Sequence, residues 1–336
     1  MSTARGIAKA VGAAVSLAGA GYAGQRVLAS RLKHRPDGDA ARALEGPMYV
    51  DRRLEAFDGG SIYLVESGEG TPIVLSHGVT NSMRSWFHQL ELLPKEGFRT
   101  IAFDHRGHGQ SRAGSAGHSL ENLAEDMRTV VEGLDLHDAI LVGHSMGGVA
   151  VQAFVTHFPD IAAERVAGIV LLSTLAKAPL GSLSTRSKRR IEEITNHAPD
   201  MTWLWTSPNF GFLIARLGFG SDPHPSHVDL VRQMLRDCPP ETRLHAPRSL
   251  VGLDLTPDLP GIKIPTLVVV GTSDILTPPA QARQISQLIP GARMEVFPGG
   301  GHMLMLERVD ELNRLIVDFA HEVGAVDADR PVDVAR

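Results

Sequence analysis

The amino-acid sequence predicts an α/β protein with a doubly wound, mostly parallel sheet of eight strands and a helical cap inserted after the sixth strand. Short apolar runs alternate with stretches of helical periodicity, which is typical of parallel strands joined by crossover helices. A serine flanked by glycines joins one of these strands to the helix that follows it. The alternation is interrupted once, by a long segment that has no strand pattern of its own.

Strand-like segments recur from residue 48 onwards. Residues 48–57 and 61–66 form an opening hairpin around the turn Asp58-Gly59-Gly60, because aspartate and glycine favour tight turns. Six apolar runs follow, at residues 73–76, 99–103, 139–142, 166–172, 264–270 and 292–297. The pattern of residues 304–323 predicts a single helix that completes the fold.

This alternation also predicts the domain organisation. Residues 48–174 and 262–323 form the α/β core. Residues 175–261 form the helical cap, because a segment of about 85 residues is too long for a simple loop. Residues 1–47 are a helix of small residues followed by a linker, and residues 324–336 are a flexible tail.

Composition excludes several classes of protein. A chain of 336 residues with 43% hydrophobic content can bury a large core. Its net charge of −5 is spread along the chain, so there is no basic patch for a nucleic acid. Cys238 is the only cysteine, which excludes a disulfide framework within the chain and a thiolate metal site.

The glycine-flanked serine is Ser145, with Gly143 and Gly147 two residues away on either side. This G-x-S-x-G spacing at a strand-to-helix junction is the nucleophile elbow. The serine adopts a strained conformation, and a side chain at either glycine would collide with the neighbouring strand or helix. We therefore predict that Ser145 is a catalytic nucleophile.

An elbow serine needs a histidine base and a carboxylate that orients it, in the chain order serine, acid, histidine. Asp274 follows the strand at residues 264–270, and His302 follows the strand at residues 292–297. Because the carboxyl ends of parallel strands meet at one edge of a sheet, Ser145, Asp274 and His302 are predicted to converge there.

The loop after the strand at residues 73–76 completes the predicted site. Two backbone N–H groups must face the oxyanion, and the predicted donors are those of Val79 and Met146. Gly78 leaves room for the substrate carbonyl. The ring of His77 is predicted to form hydrogen bonds with loop backbone instead of acting as the catalytic base.

With these motifs the chain resembles the α/β-hydrolase family. The resemblance rests on the elbow, the His77-Gly78 turn, the segment 104–111, the acid loop at Asp274 and the Gly301-His302 end, all in the family's order and spacing. It covers residues 48–323. It implies the α/β-hydrolase fold with a cap after the sixth strand, and a segment 104–111 that braces the site from behind.

The triad predicts hydrolysis of a carboxylic ester without a cofactor. The apolar, aromatic cap predicts that the acid or alcohol is lipophilic, as for carboxylesterases and monoacylglycerol lipases. Within the family the same residues also serve cofactor-free perhydrolysis, the haloperoxidase reaction, and hydrolysis of carbon–carbon bonds. Epoxide hydrolases and haloalkane dehalogenases have an aspartate in place of Ser145 and are disfavoured. A non-catalytic binding protein of this fold is the alternative of another class.

Aromatic side chains in the cap are candidates for lining an acyl pocket. They are Trp203, Trp205, Phe210 and Phe212. An equally good interpretation is that they pack the cap onto the core. No metal is predicted, because His105 and His108 have no accompanying set of ligands with metal spacing.

The N-terminal segment is uncharged from residue 10 to residue 25 and has basic residues on both sides. It is shorter than the roughly 20 apolar residues that span a bilayer. Three interpretations remain: a helix that binds a membrane or a partner, a loosely docked extension, and a cleaved export signal. We expect a cytoplasmic protein with peripheral membrane contact through residues 1–35. Export is less favoured, because the apolar region is poor in leucine.

Overall fold

The structure, a computed structural model, describes residues 22–40, 48–178 and 206–325. The strands in these residues are β1 (Val50–Glu55), β2 (Ser61–Ser67), β3 (Thr71–Ser76), β4 (Phe98–Phe103), β5 (Ala139–His144), β6 (Val166–Leu172), β7 (Thr266–Gly271) and β8 (Arg293–Phe297).

The same residues contain the helices that flank these strands. They are α1 (Tyr22–Lys33), α2 (Phe87–Leu92), α3 (Leu120–Gly133), α4 (Met146–His157), α5 (Pro159–Arg165), α6 (Phe210–Arg216), α7 (Pro225–Asp237), α8 (Pro240–Ser249), α9 (Pro279–Leu288), α10 (Leu304–Glu307) and α11 (Val309–Glu322). Short 3₁₀ turns lie at Met83–Trp86, Leu93–Glu96 and Leu259–Gly261.

The eight strands of the described residues form one sheet, in the order β1-β2-β4-β3-β5-β6-β7-β8. β2 pairs antiparallel with β1 and with β4, and all the other neighbours are parallel. This confirms the predicted doubly wound, mostly parallel sheet.

The direction of the strands determines where a site can form. Strands β3 to β8 are mutually parallel, so their carboxyl ends share one edge of the sheet. Ser76 ends β3, His144 ends β5 and Gly271 ends β7. The predicted oxyanion loop, elbow serine and acid therefore all begin at this edge.

The core lies on both faces of the sheet, because successive strand residues point to opposite sides. On one face, Val74 and Leu141 belong to an apolar cluster with side chains of α3, α4 and α9. On the other face, Ile73 and Ile140 cluster with side chains of α6, α7 and α11. Burial of one such aliphatic side chain contributes about 1.5 to 3 kcal/mol.

The C-terminal helix differs from the prediction. The prediction of one helix over residues 304–323 is wrong, because the helical path breaks between α10 and α11. Arg308 has φ −134° and ψ 49°, outside the helical region. The break lets Glu307 turn its carboxylate towards the backbone of Gly301 and Gly220 instead of continuing the helix.

The segment between β6 and β7 is helical where the structure describes it, with helices α6, α7 and α8. We call residues 175–261 the insertion. Helix α1 packs against α6 and α7. The ammonium of Lys33 donates to the Pro208 carbonyl at 2.9 Å and to the Asn209 side chain at 3.2 Å.

Helix α1 is thus docked on the insertion. In the described ranges, no helix combines the length and the apolar character needed to cross a membrane. The uncharged N-terminal stretch lies mostly in residues 1–21, outside those ranges.

The predicted tail, residues 324–336, begins later in the structure. Ala325 is buried, and its carbonyl oxygen accepts a hydrogen bond of 2.5 Å from the Thr71 hydroxyl. The described core therefore extends two residues beyond residue 323. Residues 326–336 lie outside the description.

Candidate active site

Ser145 stands at the junction of β5 and α4 with a strained backbone. Its φ of 54° and ψ of −116° lie outside the regions that L-residues prefer. Its N–H donates to the Leu172 carbonyl at 3.0 Å, and the Thr174 hydroxyl donates to its carbonyl at 2.7 Å. These bonds hold the serine at the N-terminus of α4, where the helix dipole favours negative charge.

The elbow glycines have no room for a side chain. A Cβ on Gly143 would lie 2.5 Å from the Gly147 carbonyl oxygen, and a Cβ on Gly147 would lie 2.2 Å from that of Ser76. A Cβ on Gly78 would lie 3.1 Å from Cβ of Ser145. The glycine spacing in the sequence therefore reflects close approach of backbone around the serine.

His302 and Asp274 form a buried hydrogen-bonded pair. The His302 Nδ1–H donates to Asp274 Oδ2 at 2.9 Å. The other carboxylate oxygen of Asp274 accepts the backbone N–H groups of Leu276 and Thr277, at 2.9 and 2.8 Å. This arrangement fixes the histidine tautomer with its proton on Nδ1 and leaves Nε2 to accept a proton.

The Thr277 side chain also contacts both members of this pair. Its hydroxyl donates to Asp274 Oδ2 at 2.7 Å and lies 3.1 Å from His302 Nδ1. Burial by itself raises the pKa of Asp274, but His302 and the donors from Thr277 outweigh it and hold that pKa below its usual value. Asp274 is therefore ionised at neutral pH.

His144 links the elbow to His302. His144 immediately precedes Ser145, and its Nε2–H donates to the carbonyl of His302, the predicted base, at 2.9 Å. The centroids of the two imidazole rings are 4.6 Å apart. Burial lowers the pKa of His144 well below its usual value, so the ring is neutral. The structure thereby brings Ser145, Asp274 and His302 to one edge of the sheet.

Glu307 holds the loop that carries His302. Its carboxylate accepts the N–H groups of Gly301 and Met303 at 3.1 Å each, and that of Gly220 in the insertion at 2.7 Å. Burial raises the pKa of Glu307, although these donors oppose the shift. One side chain thus fixes the histidine loop and ties it to the insertion.

Three buried histidines brace the loop after β3. His77 donates from Nδ1 to the Gly78 carbonyl at 2.7 Å and accepts the His105 N–H at Nε2, at 3.0 Å. His108 accepts the Thr80 N–H at 3.1 Å. Burial lowers the pKa of all three rings, to about 3 for His105 and about 4 for His108, so they are neutral.

Asp104 ties the segment 104–111 to the same loop. Its carboxylate accepts the Met83 N–H at 2.7 Å and the Gln110 N–H at 2.8 Å. Burial raises the pKa of Asp104 to about 6, although both donors oppose the shift. A Cβ on Gly109 would lie 2.1 Å from this carboxylate, which explains the glycine there.

The two residues predicted to supply oxyanion donors lie in one small apolar cluster. Val79 and Met146 pack there with Ala246 and Leu250 from the insertion. The insertion also contacts the bracing segment, because the Thr242 hydroxyl donates to the Gly107 carbonyl at 2.8 Å. The insertion therefore contacts both the predicted oxyanion residues and the segment 104–111.

The four aromatic residues proposed for substrate binding fall into two groups. Trp203 and Trp205 lie outside the described residues. Phe210 and Phe212 are buried, and Phe212 belongs to the apolar cluster on one face of the sheet. The Lys33 ammonium lies 5.1 Å from the centroid of the Phe212 ring, so this ring contacts α1. Contact with substrate stays a prediction for all four.

Sequence comparison agrees with this geometry. Residues 73–315, which include the elbow, the acid and the histidine, match the family profile described as the alpha/beta hydrolase family. The chain belongs to the alpha/beta hydrolase family.

This hydrolase is 31% identical over 260 residues to a non-heme chloroperoxidase of Burkholderia pyrrocinia, across 75% of this chain and 92% of that protein. It is 29% identical over 275 residues to a non-heme haloperoxidase of Rhodococcus erythropolis, across 79% and 98%. A thermophilic esterase from Thermogutta terrifontis has a similar structure, with a TM-score of 0.69, 27% identity and coverage of 82% and 99%. These relatives support hydrolase activity.

Sequence reasoning missed three residues that shape the site: His144, Thr277 and Glu307. A threonine three residues after an aspartate is a local turn signal, and this signal could have identified Thr277. His144 stands inside the elbow motif, at a position that the motif leaves open. No sequence signal identifies Glu307, because its role depends on a break in a helical pattern.

Proposed function

We propose that this alpha/beta hydrolase is a serine hydrolase that cleaves carboxylic esters of lipophilic acids or alcohols. The observation that carries the proposal is the buried hydrogen bond of 2.9 Å from His302 to Asp274, at the sheet edge where the strained Ser145 begins α4. A histidine oriented by a carboxylate and placed near an elbow serine is the arrangement that activates a hydroxyl for attack on a carbonyl.

The proposed reaction begins when His302 Nε2 takes the hydroxyl proton of Ser145 and Oγ attacks the ester carbonyl carbon. Asp274 stays ionised and stabilises the imidazolium. The tetrahedral intermediate collapses, the bond to the alcohol oxygen breaks, and His302 returns its proton to the leaving alkoxide. A water molecule deprotonated by His302 then attacks the acyl carbon, the bond from this carbon to Ser145 Oγ breaks, and His302 returns the proton to Oγ as the acid leaves.

The backbone N–H groups of Met146 and Val79 are the proposed oxyanion hole. Met146 is the first residue of α4, so its N–H has no acceptor within the helix. Thr80, next to Val79, has φ 61°, and the bond from its N–H to His108 supports this turn. Loss of one such donor typically raises the barrier by about 3 kcal/mol.

The apolar cluster around Val79 and Met146 supports a lipophilic substrate. Its other members are Leu123, Ala150, Ala246 and Leu250, and none of these side chains has a polar atom. An acyl or alcohol chain that entered between the insertion and α4 would meet this surface. The solved relative from Thermogutta terrifontis is named an esterase, which agrees with this substrate class.

Perhydrolysis is the second candidate. In this reaction the acyl-enzyme on Ser145 is attacked by hydrogen peroxide instead of water, and a peracid leaves. The observation that favours it is the naming of the relatives at 31% and 29% identity as a chloroperoxidase and a haloperoxidase. The same three residues serve both reactions, so the two candidates differ only in the second nucleophile.

A panel of p-nitrophenyl esters of increasing acyl length tests the proposal, with wild type and Ser145→Ala in parallel. We expect wild type to prefer longer chains over acetate and Ser145→Ala to lose roughly 10⁴-fold or more in kcat. Asp274→Asn should lose about 10⁴-fold through the wrong histidine tautomer. Full activity in Ser145→Ala would place the nucleophile elsewhere.

A peroxide experiment separates the two candidates. Wild type is given acetate, hydrogen peroxide and bromide, and peracid formation is followed by halogenation of an indicator. A peracid rate above the ester hydrolysis rate would favour the second candidate. A fluorophosphonate probe that fails to label Ser145, together with no turnover in either assay, would indicate a non-catalytic binding protein.

We further propose that the protein is cytoplasmic and touches a membrane peripherally through its N-terminal segment. The support is the uncharged stretch of small residues with basic flanks. Because Lys33 and Arg35 contact the insertion, the test is deletion of residues 1–21 alone. The shortened protein should move from the membrane fraction to the soluble one. If the full-length protein is already wholly in the soluble fraction, the proposal fails.

A further inference from the structure

A second cluster of titratable side chains lies where three parts of the chain meet. Asp39 follows α1, His88 is in α2, and His227 is in α7 of the insertion. The Nε2 atoms of His88 and His227 are 3.2 Å apart. Asp39 Oδ2 is 2.8 Å from His227 Nε2 and 3.3 Å from His88 Nε2. Both imidazoles are buried, and the carboxylate is about one-fifth exposed.

With Asp39 as a carboxylate, hydrogens on the two Nε2 atoms cannot make all three of these contacts favourable. If both Nε2 atoms carry hydrogens that point to Asp39, the contact between His88 and His227 sets two N–H groups against each other. If either Nε2 lacks its hydrogen, its lone pair faces the lone pairs of the carboxylate oxygen. Each arrangement leaves one repulsive contact in a buried place, where such contacts are costly.

A cation resolves the conflict, because all three atoms then serve as electron-pair donors. Tetrahedral coordination with bonds of about 2.0 to 2.1 Å separates neighbouring ligand atoms by roughly 3.3 Å. The three separations here are 2.8, 3.2 and 3.3 Å. We propose that Asp39, His88 and His227 form a binding site for a divalent transition-metal ion, with Zn²⁺ as the best match to two imidazoles and one carboxylate.

The surroundings of the cluster suit a fourth ligand from solvent. Asp39 and His227 line an open pocket of about 430 Å³, together with Glu307, Asp310 and Glu311. A water molecule that reaches the ion through this pocket completes a tetrahedral shell. Arg308 and Arg314 line the same pocket, so its lining carries charges of both signs.

The three ligands belong to segments that pack on one another without a covalent link, so the ion would act as a cross-link. It would hold the segment after α1 and the insertion onto the core helix α2. Asp37 also joins the segment after α1 to α7. Its carboxylate accepts the Ser226 N–H at 2.6 Å and the Asp39 N–H at 3.1 Å. The site lies outside the triad, so its role is to fix the insertion and not to carry out the reaction.

The test uses the full-length protein after dialysis against a chelator. Equilibrium dialysis with Zn²⁺ and elemental analysis should give about one ion per chain for wild type. Zn²⁺ at a hundred times its Kd should raise the Tm by roughly 4 °C. Co²⁺ should give a visible absorption band typical of tetrahedral coordination.

Two variants and a matched control decide the outcome. His227→Ala should lose the stoichiometric ion, the Co²⁺ band and the rise in Tm. Asp39→Ala removes a partly exposed ligand and keeps the test valid if His227→Ala fails to fold. His137→Ala changes an exposed histidine and should bind as wild type does. Unchanged binding in Asp39→Ala would overturn the site, and so would a wild-type Tm that responds to pH but not to Zn²⁺.

Discussion

Glu307 holds His302 in place from both sides, because its carboxylate accepts the backbone N–H groups of Gly301 and Met303. The third donor, Gly220, comes from the insertion. The position of His302 is thus coupled to the insertion through one partly buried carboxylate.

Glu307→Gln should lower kcat by about 10- to 100-fold, because small displacements of a catalytic group have effects of this size. The amide has one acceptor oxygen, and its NH₂ group faces the N–H donors that the carboxylate bound. Ester hydrolysis and thermal melting should be measured together. Glu311→Gln, an exposed residue of α11, is the matched control and should leave kcat unchanged. A loss of Tm with an unchanged kcat would show that Glu307 serves stability alone.

Thr277→Val should reduce kcat about tenfold, because a hydrogen bond to a charged group contributes about 1.5 to 3 kcal/mol. Removal of the hydroxyl takes away a donor that lowers the pKa of Asp274, so that pKa rises. Ester hydrolysis at neutral pH is the measurement. Thr277→Ser keeps the hydroxyl and should retain the wild-type kcat. Equal kcat values for Thr277→Val and Thr277→Ser would contradict this role.

Gly147→Ala should destabilise the protein by about 3 kcal/mol or prevent folding, because overpacking against backbone has few ways to relax. The added Cβ would lie 2.2 Å from the Ser76 carbonyl oxygen in β3. Gly261→Ala is the matched control, because a Cβ there meets nothing within 4 Å. Urea unfolding of both variants measures the difference. Equal stabilities would mean that the elbow tolerates a side chain.

Asp104 should make stability depend on pH between about 4 and 6. Burial raises its pKa to about 6 in the folded protein, above the value near 3.9 of an unfolded chain. The folded state therefore binds more protons in this window, and the free energy of unfolding falls as pH rises. Ionisation of Asp104 lowers the free energy of unfolding by roughly 3 kcal/mol, and this loss is complete above about pH 6.

The measurement is urea unfolding of wild type and Asp104→Asn at several pH values from 4 to 7. Asparagine does not titrate, so the difference between the two proteins isolates the contribution of Asp104. The stability advantage of wild type should shrink as pH rises through the window. A difference that stays constant with pH would show that the pKa of Asp104 is ordinary.

The sequence by itself determined the sheet, the elbow and the order of the predicted triad. Local sequence patterns predict these features. Apolar runs mark β3 to β8. Glycines stand two residues on either side of Ser145, where the Cβ distances show that a side chain has no room. Asp274 and His302 could be predicted from the sequence because each follows a strand that ends at the same edge. Such signals need only a few neighbouring residues and the rule that parallel strands share a direction.

Only the tertiary structure decided the break after Glu307, the docking of α1 on the insertion, and the meeting of Asp39 with His88 and His227. His227 lies 139 residues from His88 and 188 from Asp39, so no local pattern relates them. The sequence predicted no metal for the same reason. Contacts between distant segments form when whole helices and strands pack, and that packing is set by the combined burial of many side chains, which no short stretch of sequence encodes.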